Sequence, residues 1–186
     1  LVIKGALASG AGSLQAALPK SIADVLPQYA PEVVLAGLLE NSSNQSVSMS
    51  KFFKNTNLDR IDALLIGPGL GISDESWEEI SSELEAFSGL LILDADALNR
   101  LSISKEGWKW LKKRKGKTLI TPHEAEFNRL FKEFNFSDPL QAAQEAAHIT
   151  GVGILLKGAH SVFAAPSKEV WQLGDTAPWA ARAGLG

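Results

Sequence analysis

Asp62-Ala-Leu-Leu-Ile-Gly-Pro-Gly-Leu-Gly71 is a short apolar run that stops in a glycine-rich turn, the pattern of a buried strand leaving a sheet. Three later segments repeat the form: Leu91-Ile-Leu-Asp-Ala-Asp-Ala-Leu-Asn99, Thr118-Leu-Ile-Thr-Pro-His-Glu-Ala-Glu-Phe127 and Gly153-Ile-Leu-Leu-Lys-Gly158. Each apolar run ends in glycine, carboxylate, histidine or lysine. In an open parallel sheet these endings line one edge, and ligands bind in the crevice outside it. Four such endings in order predict one composite site that holds phosphate.

What lies between the strands is helical. Ser73-Asp-Glu-Ser-Trp77 opens a helix with acidic residues in its first turn, where the macrodipole favours them, and Trp77, Ile80, Leu84 and Phe87 recur at helical spacing as its buried stripe. The chain turns helical again from Ala95, over Lys105 to Lys115 with a basic end, and from Asp138-Pro139 to about Thr150 with Ala142, Ala146 and Ile149 on one face. Pro122 suits the first turn of the helix that follows it. Towards the N-terminus, Ser21 is placed to cap a short helix that Pro27 ends, Val33 to Leu39 has strand length, and Asn41 to Ser50 has loop composition. Ser161 to Ala165 and Val170 to Leu173 form a hairpin. Strands separated by helices predict βαβ units, a mostly parallel sheet and helices on both faces.

Composition narrows the class. At 186 residues and 45% hydrophobic content, one substantial core and a single domain over 1–186 are expected. A net charge of −3 lacks the electrostatic footprint of a nucleic-acid binder. With no cysteine there is neither a disulfide scaffold nor a thiolate zinc site. Apolar runs stay far below the roughly 20 residues that cross a bilayer, and no basic leader opens the chain. A cytoplasmic enzyme or binding domain is the expectation. Leu1 in place of Met, and an ending Ala183-Gly-Leu-Gly186 that reads as loop, predict a fragment of a longer domain, incomplete at both termini.

The chemistry-bearing residues each have a structural alternative. Gly67-Pro-Gly-Leu-Gly71 lets backbone approach a ligand closely, or it is only a tight turn; it matches neither the P-loop nor the dinucleotide fingerprint. Asp94 and Asp96 could bind hydroxyls or Mg²⁺ through water, with helix capping the expected role of Asp96. Near a helix N-terminus, His123 is expected as a neutral ring that contacts ligand. Lys157-Gly158 at a strand end is a natural phosphate contact, or else a solvated turn lysine. The tryptophans are expected in packing, except Trp179, which lies in a loop.

In order, GPGLG, LDADALN, TPHEAEF and LLKGAHSV, followed by a glycine-rich ending, closely resemble the NAD(P)H-hydrate dehydratase family of the ribokinase-like superfamily. The similarity covers nearly the whole chain. The TPHEAEF segment resembles the bacterial ADP-dependent branch, and the ending from Thr176 to Gly186 looks like the cyanobacterial type.

The resemblance implies a ribokinase-like three-layer α/β/α fold and a carbon-oxygen lyase. Such an enzyme returns hydrated NADH or NADPH to the normal cofactor: the nucleotide phosphorylates the ring hydroxyl, and phosphate leaves as the double bond re-forms. ADP (or ATP) with Mg²⁺ is the implied phosphoryl donor. Carried over by position, Gly69, Gly71, His123 and Asp94 meet the hydrated dinucleotide. Lys157, Gly158, Ala159, His160 and Ser161 surround the nucleotide, and Gly186 helps cradle it. The family's catalytic Asp is expected immediately after Gly186, so the fragment itself is expected to turn over poorly. The family further implies a homo-oligomer, a tetramer, and in many bacteria an epimerase domain ahead of this one. A small-molecule kinase of the same superfamily and a non-catalytic nucleotide-binding module are the competing readings.

Overall fold

The computed structural model describes residues 2–38, 49–71, 76–134 and 137–174. The first part of the chain runs α1 (Val2–Ala8), β1 (Gln15–Leu18), α2 (Lys20–Ala23), α3 (Leu26–Tyr29) and β2 (Val34–Leu38). β1 and β2 pair in parallel as a two-stranded sheet over a small cluster of Ala16, Leu26, Ala30 and Val33. Ser21 falls inside α2, and Pro27 sits in the first turn of α3. Proline lacks only an N–H that a first turn leaves without a helical partner anyway, so it starts this helix and does not end one.

The rest of the chain builds a larger sheet. It continues with α4 (Met49–Asn55), β3 (Ala63–Ile66), α5 (Glu78–Ala86), β4 (Leu90–Leu93), α6 (Asp96–Ile103), a 3₁₀ segment (Gly107–Lys113), β5 (Thr118–Ile120), α7 (Glu124–Leu130), α8 (Pro139–Thr150), β6 (Gly153–Leu156), β7 (Val162–Ala164) and β8 (Val170–Gln172). The strand order is β3-β4-β5-β6-β7-β8; the first four run parallel and β6-β7-β8 antiparallel. The mostly parallel α/β fold and the C-terminal hairpin thus match the sequence pattern. α4 was hidden by the polar composition before it; Met49 and Phe53 anchor it in the core. Residues 41–48 of the expected loop, 73–75 of the expected helix start, Trp179 and Gly186 lie outside the described residues.

Strand alternation sets the core. Ile66, Leu91, Leu93, Ile120, Ile154, Leu156, Val162 and Ala164 are buried on one face, while their alternates, such as Leu65 and Trp171, are more exposed. The predicted stripe of Trp77, Ile80, Leu84 and Phe87 is buried as expected, with Trp77 edge-on to Trp110. On α8 the buried residues are Ala142, Ala143, Ala146, Ala147 and Thr150, whereas Ile149 is exposed; the face is rotated by one position from the expected stripe. Small alanines let α8 sit close against β6 and β7. Asp138 caps α8 through the N–H groups of Leu140 and Gln141, and Gly151 closes it in the left-handed conformation. Among the described residues no helix is long and apolar enough to cross a membrane.

Candidate active site at the carboxyl ends of β3 to β6

Backbone hydrogen bonds stitch the four strand endings into one edge. Asp94 N–H donates to Ile66 O (3.0 Å), Thr121 N–H to Leu93 O (3.0 Å) and Lys157 N–H to Pro122 O (2.8 Å). His123 and Lys157 form a further parallel bridge just beyond the strands. At about 4.8 Å per strand, the row from Gly67 to Lys157 spans roughly 14 Å, enough to lie along a dinucleotide.

The glycine turn is seated directly on the β4 ending. Gly67 has φ +135°, and a Cβ built there would lie 1.6 Å from Asp94 O, so no other residue fits. Leu70 N–H donates to Gly67 O (3.1 Å) and closes the turn, whose apex, Pro68-Gly69, is exposed. Gly69 has φ +76° and open space around it. Gly71 is engaged: its N–H donates to Asp96 Oδ2 (2.9 Å). This N–H is therefore not free to bind an anion. α5 begins only at Glu78, so the turn is not its N-terminus.

Asp96 accordingly does not cap α6 with its side chain. The N-cap is Ala95, at φ 48° and ψ −120°, a conformation that costs an L-residue of order 1–3 kcal/mol. Arg100, buried on α6, donates through Nη2 to Leu70 O (3.3 Å) and Gly71 O (3.2 Å). Sequence reasoning missed this arginine. The available signal was its spacing of four from Asp96, which puts both residues on one side of the helix.

Asp94 and Lys157 meet across the intervening β5 ending. Lys157 Nζ lies 2.7 Å from Asp94 Oδ1, with both side chains partly shielded. His123 is the N-cap of α7. Its Nδ1 accepts from Ala125 N–H (3.1 Å), and the buried Glu126 returns a bond to His123 N–H (2.9 Å), completing a capping box. Pro122 therefore precedes the cap and lies outside the first helical turn. An accepting Nδ1 puts the ring proton on Nε2, which lies 3.4 Å from Glu126 Oε1 on a half-exposed ring.

Gly158, Ala159, His160 and Ser161 form the β6-β7 turn at the same edge. The Ser161 hydroxyl bridges Gly158, 3.1 Å from its O and 3.3 Å from its N. His160 Nδ1 is 3.1 Å from Gly174 O, which ties this turn to the chain after β8. Among the described residues no group of three or more His, Asp or Glu side chains could hold a metal. With Asp94 on Lys157 and Asp96 on Gly71, the donor set suits a cation carried by phosphate better than a protein-only cage.

A family profile described as NAD(P)H-hydrate dehydratase matches residues 1–186. Over all 186 residues the chain is 39% identical to the bifunctional NAD(P)H-hydrate repair enzyme Nnr of Synechocystis sp., and 34% identical to that of Gloeobacter violaceus. It spans about a third of the length of these relatives, 34% and 35%. An ADP/ATP-dependent NAD(P)H-hydrate dehydratase from Bacillus subtilis, co-crystallized with ATP/Mg2+, superposes with a TM-score of 0.71 at 24% identity, over 97% of this chain and 60% of that one. A ribokinase-like superfamily protein from Enterococcus faecalis gives 0.70 at 22%, over 97% of this chain and 59% of that one. These superpositions show a ribokinase-like fold. With the four motifs gathered on one sheet edge and the profile spanning every residue, the chain belongs to the NAD(P)H-hydrate dehydratase family.

Proposed function

We propose that the protein uses ADP to dehydrate the hydrated form of NADH or NADPH, and that residues 1–186 act as one domain in this reaction. The observation that carries the reading is the row of adjacent strand endings, with the exposed Gly69 at one end and Lys157, bridged backbone to backbone with His123, at the other. Gly69, His123 and Asp94 face the dinucleotide. Lys157 and the turn from Gly158 to Ser161 meet the nucleotide.

Hydroxide is a poor leaving group. Transfer of a phosphoryl group to the ring hydroxyl forms a phosphate ester and releases AMP and the hydroxyl proton. The ring nitrogen lone pair then assists cleavage of the carbon–oxygen bond, the neighbouring carbon loses a proton, and inorganic phosphate leaves as the double bond re-forms. Lys157 would supply positive charge beside the transferring phosphate. Mg²⁺ bound to the nucleotide would neutralise phosphate charge.

The names and lengths of the curated relatives support a second repair activity in the same natural polypeptide. A homo-oligomer in the cytoplasm completes the proposal. The test is absorbance at 340 nm with the intact natural polypeptide, NADPH hydrate and ADP. Recovery of NADPH with stoichiometric phosphate release is expected. Phosphate retained on an organic product would overturn the dehydratase reading in favour of a kinase.

A further inference from the structure

The geometry points to Asp96 and Arg100 of α6 as positioning residues that fix the glycine turn from beneath and present Gly69 to the substrate. This rests on the proposed contact between that turn and the hydrated dinucleotide. Three polar groups of the turn are held by one helix: Gly71 N–H by Asp96 Oδ2 at 2.9 Å, and Leu70 O and Gly71 O by Arg100 Nη2 at 3.3 and 3.2 Å. Gly67 is locked against Asp94 O at the start of the same helix, so both ends of the turn are fixed to α6 and its approach.

Two physical points favour positioning over packing alone. A surface turn could satisfy two carbonyls and an N–H with water at almost no cost. Here a guanidinium with 7% relative exposure does it, although removing that charge from water is unfavourable. The bonds also make the turn one-sided: Gly71 points its amide inward, and Gly69, with open space at its Cα, remains as the outward surface. Reading specificity for the dinucleotide therefore depends on two side chains that need not touch it.

The experiment uses the intact natural polypeptide with NADPH hydrate and ADP, comparing Arg100→Met, Arg100→Lys, Asp96→Ala and Asp96→Asn. For Arg100→Met and Asp96→Ala we expect the hydrate KM to rise at least tenfold while the ADP KM stays within twofold. Asp96→Asn, which keeps an acceptor, should recover most of the loss; Arg100→Lys, whose shorter side chain stops short of the Nη2 position that serves both carbonyls, should recover little. Equal increases in both KM values, or an unchanged hydrate KM in a cooperatively folded variant, overturn the inference. If Arg100→Met does not fold, the Asp96 pair decides. If the wild type shows no dehydration, the proposed function fails. Amide exchange without ligand then decides the clamp: Gly71 exchanging at least tenfold faster in Asp96→Ala than in wild type supports it, and no change overturns it.

Discussion

Lys157 is held by Asp94 at 2.7 Å, and if it meets phosphate as proposed, that pairing changes what its removal would do. Lys157→Met deletes a cation and also leaves a partly shielded carboxylate facing the anion's place. A charge-assisted hydrogen bond contributes about 1.5–3 kcal/mol, so the variant should raise the ADP KM roughly 10- to 150-fold. Asp94→Asn added to it removes the repulsion, and the double variant should bind ADP more tightly than Lys157→Met alone. A double-mutant cycle on ADP affinity checks this: additive effects would show that the pair is not coupled to nucleotide binding. Backbone strain at Ala95 gives a second prediction on the same ending. Ala95→Gly relieves φ 48°, at the expense of a more flexible unfolded chain, and should stabilise the protein by about 1 kcal/mol in thermal melts. Gly67→Ala, by contrast, drives a Cβ into Asp94 O and should destabilise by at least about 3 kcal/mol.

At the scale of elements, the opposite end of the sheet shows how the strand endings are held in register. Arg114 is buried beneath α5 and donates to Leu84 O and Phe87 O at the helix's end, to Gly89 O (3.0 Å) and Lys117 O (3.3 Å) beside β4 and β5, and to Thr118 Oγ1 (3.1 Å). Burial pushes its guanidinium below the usual range, but arginine stays charged near neutrality. Arg114→Ala strands several buried carbonyls and should cost about 3–5 kcal/mol, seen as a lower Tm. A weaker tie joins α5 to the segment after α6: Lys105 N–H donates to Glu78 Oε1 (2.8 Å) and holds that carboxyl below its ordinary value of 4.5. A depressed folded value contributes stability above about pH 4.5 that is lost as pH falls through the lower folded value. The Tm gap between wild type and Glu78→Gln should therefore be present at pH 7 and close on acidification towards pH 3. Elements like these were only partly legible. β3 to β6 announced themselves because apolar runs ended in polar punctuation, and α8 because Asp138-Pro139 opens it and apolar residues recur along it at helical spacing. Asp96, Arg100 and the longer bonds of Arg114 link residues 25 to 30 positions apart, and no local pattern names such a partner.

For the molecule as a whole, the candidate site was legible to the extent that it is made of strand endings, because a parallel sheet puts all of these on one edge whatever the loops do. Its internal bonds were not: the Asp94–Lys157 pair links residues 63 positions apart, and only the sheet order decides that one strand separates them. The same geometry makes ligand binding a property of the whole sheet. If a nucleotide sits on the β6 ending and a dinucleotide on the β3 and β5 endings, as proposed, both bind the folded state alone, so each stabilises it by mass action. At 100 times its Kd, ADP should add about 2.7 kcal/mol. If residues 1–186 unfold as one unit in the intact natural polypeptide, 1 kcal/mol shifts that unit's Tm by roughly 2–4 °C, which predicts a rise of roughly 5–10 °C in its calorimetric transition. Lys157→Met should cut that rise by about half or more at the same ADP concentration, measured against the variant's own ligand-free Tm, because a pair only 21% and 24% exposed also contributes to folding. An ADP-induced shift that survives the substitution in full would place the nucleotide elsewhere on the molecule and remove Lys157 from the site.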